Sequence, residues 1–168
     1  MKRPLSVLIA ALLAGIGGSG ALAQISNPAF AKVLDQLLSH SVPLISVQEA
    51  ARRGDVVFLD AREKEEYEIS HIAGALHVGY KSFQPHVVQQ LSRARPIVVY
   101  CSVGYRSERI AEKLIQSGFT QVYNLHGGIF EWVNQQLPIV NAAGEKTQRV
   151  HAYDRVWGIW LQRGEKVY

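Results

Sequence analysis

Short apolar runs alternate along the chain with stretches of helical hydrophobic spacing. The runs at residues 56–59 and 97–100 are continuous and apolar, as expected for strands that are covered on both faces. Residues 76–78 and 122–125 predict two further strands. Helices are predicted at residues 28–38, 46–54, 63–69, 83–91, 107–118 and 129–136. This alternation predicts a parallel sheet flanked by helices, whose functional sites lie beyond the carboxyl ends of the strands.

The first 23 residues have the features of a secretory signal peptide. Met1-Lys-Arg3 is a basic start, residues 5–16 are largely apolar, and Ala21-Leu-Ala23 is a small-x-small cleavage site. We expect cleavage after Ala23, which makes Gln24 the first residue of a periplasmic or secreted protein. The alternative is an uncleaved segment that anchors the chain to the membrane, although its apolar stretch is short for a membrane span.

The composition is that of an ordinary globular protein and argues against a nucleic-acid partner. The chain of 168 residues is 48% hydrophobic and 19% charged, with 18 basic and 14 acidic residues and a net charge of +4. Without Lys2 and Arg3 the balance is 16 basic against 14 acidic residues, or +2. Basic and acidic residues are interspersed, so the Lys/Arg stripe of a nucleic-acid binder is not seen.

Cys101 is the only cysteine, and it directly follows the predicted strand at residues 97–100. One cysteine cannot form an internal disulfide. A free thiol has a pKa of about 8.5, so a nucleophilic cysteine needs neighbours that favour the thiolate. The N–H groups of residues 102–106 at a helix start and the charge of Arg106 would do this, and Gly104 permits unusual backbone angles. We predict a nucleophile; the alternative is a buried cysteine that serves as a small hydrophobe.

Five short motifs follow one another along the chain: Asp60-Ala-Arg62, Glu66-Tyr67, Ser70-His-Ile-Ala-Gly-Ala75, Cys101-Ser-Val-Gly-Tyr-Arg-Ser107 and Leu125-His-Gly-Gly-Ile-Phe-Glu-Trp132. In this order and spacing they resemble the single-domain rhodanese (thiosulfate sulfurtransferase) family. The resemblance implies a rhodanese-like α/β fold with a five-stranded parallel sheet flanked by helices on both faces. One departure is Ser70, which precedes His71-Ile72 where the family usually has glycine. This difference concerns how tight the turn at residue 70 is, and not the chemistry.

The resemblance also implies a domain organisation and a chemistry. The rhodanese-like domain would span residues 43–138, between an N-terminal helical extension at 24–42 and a C-terminal extension at 139–168. Cys101 would take the outer sulfur of thiosulfate or a similar donor, become a persulfide, and pass the sulfur to a thiophilic acceptor. That acceptor would be cyanide, a small thiol or a partner protein, and no cofactor or metal is expected.

The same resemblance assigns roles to the residues of the cysteine loop. Substrate-binding roles fall on Ser102, Val103, Gly104, Tyr105 and Arg106. Arg106 is the expected anion contact and catalytic partner of Cys101, and we expect it to govern donor binding more than folding. Ser107 is expected to cap the following helix.

Loop length distinguishes this interpretation from other cysteine enzymes. Cysteine phosphatases have five residues between the cysteine and the arginine, and arsenate-reductase-like relatives of the rhodanese fold also carry a longer loop. This chain has four, residues 102–105. A small loop is typical of proteins that hold a sulfur atom. A sulfur-carrying or redox-sensing binding module without turnover stays open as an alternative.

Two further regions allow two interpretations each. Arg62 follows a strand of the same sheet and is a candidate substrate-binding residue at the pocket rim, or it forms a structural ion pair with Asp60. The histidines have no metal-ligand spacing. Residues 139–168 contain Tyr153, Trp157, Trp160 and Tyr168, which either pack on the domain or form an aromatic interaction surface.

Overall fold

The computed structural model describes residues 25–168, and the predicted signal peptide lies outside the described residues. The α-helices are α1 (Pro28–Leu37), α2 (Val47–Arg52), α3 (Lys64–Ile69), α4 (Tyr105–Gln116) and α5 (Gly128–Asn134). The strands are β1 (Leu44–Ile45), β2 (Val57–Asp60), β3 (Leu76–His77), β4 (Ile97–Tyr100), β5 (Val122–Leu125), β6 (Ile139–Val140), β7 (Lys146–Thr147), β8 (Arg149–His151) and β9 (Glu165–Val167). Within residues 25–168, no helix combines the length and the apolar character needed to cross a membrane.

Strands β1 to β5 form one parallel sheet in the order β1-β5-β4-β2-β3. This confirms the predicted five-stranded α/β fold. Strand β4 lies at the centre of the sheet, with Val98 opposite Phe58 of β2 and opposite Tyr123 of β5. The residue that follows β4 therefore emerges at the middle of the carboxyl edge, where open parallel sheets bind ligands.

The two faces of the sheet bury two separate apolar clusters. Val98 and Tyr100 of β4 point into one cluster, and Ile97 and Val99 point into the other, because successive side chains of a strand alternate. Helices α1, α2 and α5 cover the first face, whereas α4 covers the second. The spacing of α4 predicts an apolar stripe of Ile110, Ala111, Leu114 and Ile115; the first three are buried there, whereas Ile115 is 41% exposed.

The predicted helix at residues 83–91 is wrong in length. The structure has only a single 3₁₀ turn there, Pro85–Val88. Val88 is buried, while Val87 and Leu91 are only half-buried, so the segment lacks the continuous buried face that stabilises a short helix. The other predicted helices and strands are present with ends that differ by a few residues.

The C-terminal extension packs on the domain. Strands β6 and β7 form an antiparallel pair, β8 and β9 form a parallel pair, and a 3₁₀ turn spans Trp157–Trp160. Val150, Ala152 and Leu161 are fully buried in the cluster that also contains α1 and α5. The extension is thus a structural part of the first face, and two of its aromatic side chains, Tyr153 and Trp157, reach the cavity described below.

Candidate functional site

Cys101 begins the sulfur loop, residues 101–106, which connects β4 to the first turn of α4. The side chain is 1% exposed, and its Sγ accepts a hydrogen bond from the Gly104 N–H at 3.2 Å. The Ser107 Oγ lies 3.5 Å from the same sulfur. Among the described hydrogen bonds, Gly104 is the only loop amide that donates to Sγ. The N-terminus of α4, twelve residues long, adds its positive dipole end beside the sulfur.

Gly104 holds a backbone conformation that a side chain would strain. Its φ is 124°, in the region that L-residues with a Cβ rarely adopt. The amide group of Asn124 fixes this geometry by donating to the Gly104 carbonyl at 3.0 Å. Position 104 requires glycine because this φ value directs the Gly104 N–H toward the Cys101 Sγ.

Ser107 has a different role from the helix cap that the sequence suggests. Helix α4 begins at Tyr105, and the residue at the cap position is Gly104. The Ser107 hydroxyl has Asn124 Oδ1 at 2.7 Å as its shortest acceptor, with the Gly104 carbonyl at 3.1 Å. Ser107 therefore joins the loop to the end of β5 instead of capping α4.

Helix α5 supports the sulfur loop from below through its backbone. The N–H of Ile129 donates to the Cys101 carbonyl at 2.9 Å, and the N–H of Phe130 donates to the Ser102 carbonyl at 3.1 Å. This approach requires glycine at position 128, where φ is 58° and a Cβ would stand 2.6 Å from the Ser102 oxygen and closer still to that of Cys101. Gly127-Gly128 predicts a turn from the sequence alone. The close contact of Gly128 with the sulfur loop is visible only in the structure.

Arg106 forms a bidentate ion pair with Glu66 of α3. Its Nη1 and Nη2 lie 2.6 Å and 2.8 Å from the two carboxylate oxygens, and Nη2 also donates to Ser102 Oγ at 3.0 Å. The two side chains are only 11% and 5% exposed. Burial acts to raise the pKa of Glu66, but the hydrogen bonds and charge of Arg106 outweigh it and lower that pKa to about 2. Burial opposes the charge of Arg106 as well, yet Glu66 and the Cys101 sulfur raise its pKa.

Two expectations for Arg106 therefore need correction. Its helix begins before it, at Tyr105, and its guanidinium is already paired with a carboxylate. Removing Arg106 would leave Glu66 buried without its partner, so Arg106 contributes to folding as well as to the site. Its contact with a donor stays a prediction, supported by its position at the cavity described next. Glu66 appeared in the sequence only as part of a motif, and nothing in its spacing reveals the pair.

Arg62 does not belong to the pocket rim. Its side chain is fully buried and pairs with Asp60, with Nε to Oδ1 at 3.0 Å and Nη2 to Oδ2 at 2.6 Å. Nη2 also donates to the Ser70 carbonyl at 2.6 Å. The predicted substrate-binding role of Arg62 is wrong, and the structural ion pair is the correct alternative. It ties the end of β2 to the turn after α3.

A cavity of about 260 Å³ opens above the sulfur. Its lining residues are Leu37, Cys101, Ser102, Val103, Tyr105, Arg106, Tyr153 and Trp157. The loop residues predicted from the sequence thus meet at one cavity, except that Gly104 contributes its N–H from beneath. Leu37, Tyr153 and Trp157, which we call the apolar wall, are site residues that the sequence analysis missed. Among the described residues, no group of three His, Cys, Asp or Glu side chains is placed to hold a metal ion.

Comparison with known proteins identifies the family to which the residues around the sulfur loop belong. The family model described as a rhodanese-like domain matches residues 45–135, more than half of the chain. The chain belongs to this rhodanese-like family. It is 36% identical over 84 residues to the thiosulfate sulfurtransferase GlpE of Coxiella burnetii, covering 50% of this chain and 78% of that protein.

Other similar proteins differ from the GlpE sulfurtransferase in name and length. The chain is 40% identical over 86 residues to the tRNA uridine(34) hydroxylase of Pectobacterium carotovorum, which is 48% of this chain but only 24% of that enzyme. The solution structure of the rhodanese-like domain from an Anabaena protein superposes with a TM-score of 0.54 and 22% identity, over 59% of this chain and 79% of that domain. At 22% identity this similarity supports a shared fold and no shared activity. The relatives thus include a sulfurtransferase and a tRNA hydroxylase.

Proposed function

We propose that this rhodanese is a sulfurtransferase that moves sulfane sulfur from thiosulfate or a similar donor to a thiophilic acceptor through a persulfide on Cys101. The observation that carries the proposal is the position of Sγ, which accepts the Gly104 N–H at 3.2 Å in a loop with only four residues between Cys101 and Arg106. The N–H and the start of α4 favour negative charge on the sulfur. The 36% identity to a thiosulfate sulfurtransferase supports the same reaction.

In the first step the Cys101 thiolate attacks the outer sulfur of thiosulfate. The Cys101 S–S bond forms, the S–S bond of thiosulfate breaks, and sulfite leaves with the electron pair of that bond. Cys101 is left as a persulfide anion, so atoms and charge balance without an oxidant or a reductant. In the second step cyanide, a small thiol or a partner protein takes the outer sulfur and restores the thiolate.

Mass spectrometry of the purified protein tests the first step. Incubation with thiosulfate should add one sulfur atom, cyanide should remove it, and Cys101→Ser should abolish the gain. Since Cys101 is the only cysteine, no second thiol can contribute. A serine variant that gains sulfur, or a parent protein that gains none from any sulfane donor, would overturn the proposal.

Steady-state turnover separates the enzyme from a binding module. A sulfurtransferase should produce thiocyanate from thiosulfate and cyanide over many cycles. A sulfur-carrying or redox-sensing module would take up one sulfur per chain and release it too slowly for turnover. The small loop argues against phosphatase activity, which an assay with an aryl phosphate would detect.

We also propose that the protein is exported, on the basis of the basic start, the apolar stretch and the Ala21-Leu-Ala23 site. The residues that follow Gln24 pack on the domain, since Ile25 is buried and the Ser26 N–H donates to Glu131 Oε1 at 2.8 Å. N-terminal sequencing of the protein from the periplasm or medium should begin at Gln24. A retained Met1 on membrane-bound material would contradict export by cleavage.

A further inference from the structure

The cavity above Cys101 has two parts of different origin. The sulfur loop forms its floor and lies within the residues that match the rhodanese-like family. The apolar wall comes from outside residues 45–135: Leu37 belongs to α1, and Tyr153 and Trp157 belong to the C-terminal extension. This side of the cavity is therefore built by segments that lie outside the residues matched to the family model.

The cavity offers little to an inorganic anion. Arg106 is the only charged residue that lines it in the described part of the chain. Its charge is already balanced by both carboxylate oxygens of Glu66, and its guanidinium faces the ring of Tyr153 with the Cζ 4.9 Å from the ring centre. A thiosulfate dianion would give up water here without meeting an unpaired cation, and burying an unpaired charge is costly.

The cavity suits an apolar carbon group instead. Its volume of about 260 Å³ is slightly below the roughly 300–1,000 Å³ typical of small-molecule pockets, which suits a single ring or a short chain better than a larger ligand. Three aromatic residues, Tyr105, Tyr153 and Trp157, line this space together with the Leu37 side chain. Apolar and aromatic surfaces gain free energy by contact with a carbon group, and they gain nothing comparable from sulfate-like oxygens.

The wall is held in place by several specific contacts. The Asp154 carboxylate accepts the N–H groups of Val156 and Trp157 at 2.9 Å and 2.8 Å, which starts the 3₁₀ turn that carries Trp157. At the other end of this turn, Trp160 stacks on Phe30 of α1 with ring centres 5.3 Å apart. Tyr153 has a φ of 65°, unusual for a residue with a side chain, and such strain persists only where surrounding contacts fix it.

We propose that Leu37, Tyr153 and Trp157 determine specificity, by favouring sulfur donors that carry an apolar carbon group over inorganic thiosulfate. The inference rests on the proposed function, whose donor class it narrows. With benzenethiosulfonate as the probe, the Cys101 thiolate attacks the outer sulfur, the Cys101 S–S bond forms, and the bond between that sulfur and the sulfonyl sulfur breaks. Benzenesulfinate leaves with the electron pair, and Cys101 is left as a persulfide anion.

The test is the ratio of kcat/KM for benzenethiosulfonate to kcat/KM for thiosulfate, with cyanide as acceptor. These donors share the transferred sulfur and differ in a phenyl group against a charged oxygen. Their intrinsic reactivities cancel when a variant is compared with the parent protein. The ratio should fall about tenfold in Trp157→Ala and in Tyr153→Ala, as for the loss of one apolar contact to a substrate. Ile159→Ala is the matched control, because Ile159 lies in the same 3₁₀ turn, is 59% exposed and does not line the cavity.

An unchanged or increased ratio in the wall variants would overturn the proposal, as would an equal fall in Ile159→Ala. Trp157→Leu keeps an apolar side chain, so its ratio of kcat/KM values should fall less than that of Trp157→Ala. This comparison distinguishes loss of the apolar contact from loss of the fold.

Calorimetry on Cys101→Ser separates the wall from the reaction. Benzenesulfinate should bind this variant, and Trp157→Ala in the same background should weaken the affinity about tenfold. If the parent protein gains sulfur from neither donor, the proposed function fails, while this binding result still tests the wall. Absence of benzenesulfinate binding to Cys101→Ser would overturn the wall's role whatever the sulfur assays show.

Discussion

The sulfur loop and the apolar wall face each other across one cavity, but different interactions hold them. Backbone hydrogen bonds from Gly104 and α5 fix the loop, and the buried Arg106–Glu66 pair fixes its end. Side-chain hydrogen bonds of Asp154 and Asn134 with the backbone, together with the stacking of Trp160 on Phe30, fix the wall, whose Tyr153 is 47% exposed. Damage to the loop should therefore cost stability and activity together. Damage to the wall should alter the choice of substrate while the fold remains.

The Arg106–Glu66 pair gives the largest expected effect. Glu66→Ala leaves a buried guanidinium without its carboxylate, which should lower the free energy of unfolding by about 3–5 kcal/mol. Activity should fall with it, because the guanidinium lies at the cavity. Urea denaturation and thiosulfate turnover measure the two effects. Glu65→Ala is the matched control on the same helix, since Glu65 is exposed, and it should change stability by no more than about 0.5 kcal/mol.

A double variant that combines Glu66→Ala with Arg106→Ala tests whether the two side chains stabilise the protein as a pair. Arg106→Ala alone should also be destabilising, because it leaves the Glu66 carboxylate buried. Removing both residues removes both unpaired charges, so the double variant should lose less stability than the sum of the single variants. A Glu66→Ala protein as stable as Glu65→Ala would show that the loop does not depend on the pair.

The contact of α5 with the loop gives the next effect. In Gly128→Ala the new methyl group would stand 2.6 Å from the Ser102 carbonyl oxygen, at a φ of 58°. We expect a loss of roughly 3–4 kcal/mol in stability, together with most of the activity, because the loop must move. Gly144→Ala has a φ of 78° but nothing within 4 Å, so it should cost only about 1 kcal/mol. Equal losses in the two variants would contradict close packing under the loop.

Most of the fold could be predicted because its signals are local. Continuous apolar runs mark β2 and β4, and the buried stripe of α4 follows from its helical spacing. The predicted helix at residues 83–91 is wrong because spacing cannot show how much of a face will be buried. Only Val88 is buried there, and the segment forms one 3₁₀ turn. The fifth strand, β1, has only two residues and came from the family resemblance.

The site could be predicted only where it is contiguous in sequence. Cys101 and the loop through Arg106 form one segment, and the structure brings them to one cavity. Glu66 is 40 residues from Arg106, and Tyr153 approaches Arg106 from the C-terminal extension, so their contacts arise from the tertiary fold. Arg62 was misplaced for the same reason: the spacing puts it at a strand end, but only the structure shows that it points inward to Asp60.

The pH dependence of stability offers a further test of the loop. The pKa of Glu66 is about 2 in the folded protein, below its ordinary value of 4.5. A depressed carboxyl pKa contributes stability that is complete above about pH 4.5 and is lost as the pH falls through 2. Glu66→Gln cannot titrate at this position. The stability advantage of the parent over Glu66→Gln should therefore shrink by on the order of 2 to 3 kcal/mol between pH 6 and pH 2. A difference that stays constant with pH would contradict the depressed pKa.

The smallest expected effect comes from the anchor of the wall. Asn134 of α5 donates from Nδ2 to the Trp160 carbonyl at 2.9 Å and accepts the Gln162 N–H on Oδ1 at 2.7 Å. Asn134→Ala should cost about 1–2 kcal/mol, because three backbone groups lose their partner: the Trp160 carbonyl and the N–H groups of Gln162 and Arg163. The loss should be local: amide hydrogen exchange should accelerate in residues 149–168 and stay unchanged in residues 97–116, which serve as the internal control. Turnover of thiosulfate should change little, since the loop keeps all of its own contacts. Faster exchange in both regions would mean that the loop and the wall form one cooperative unit, and the distinction between them would then fail.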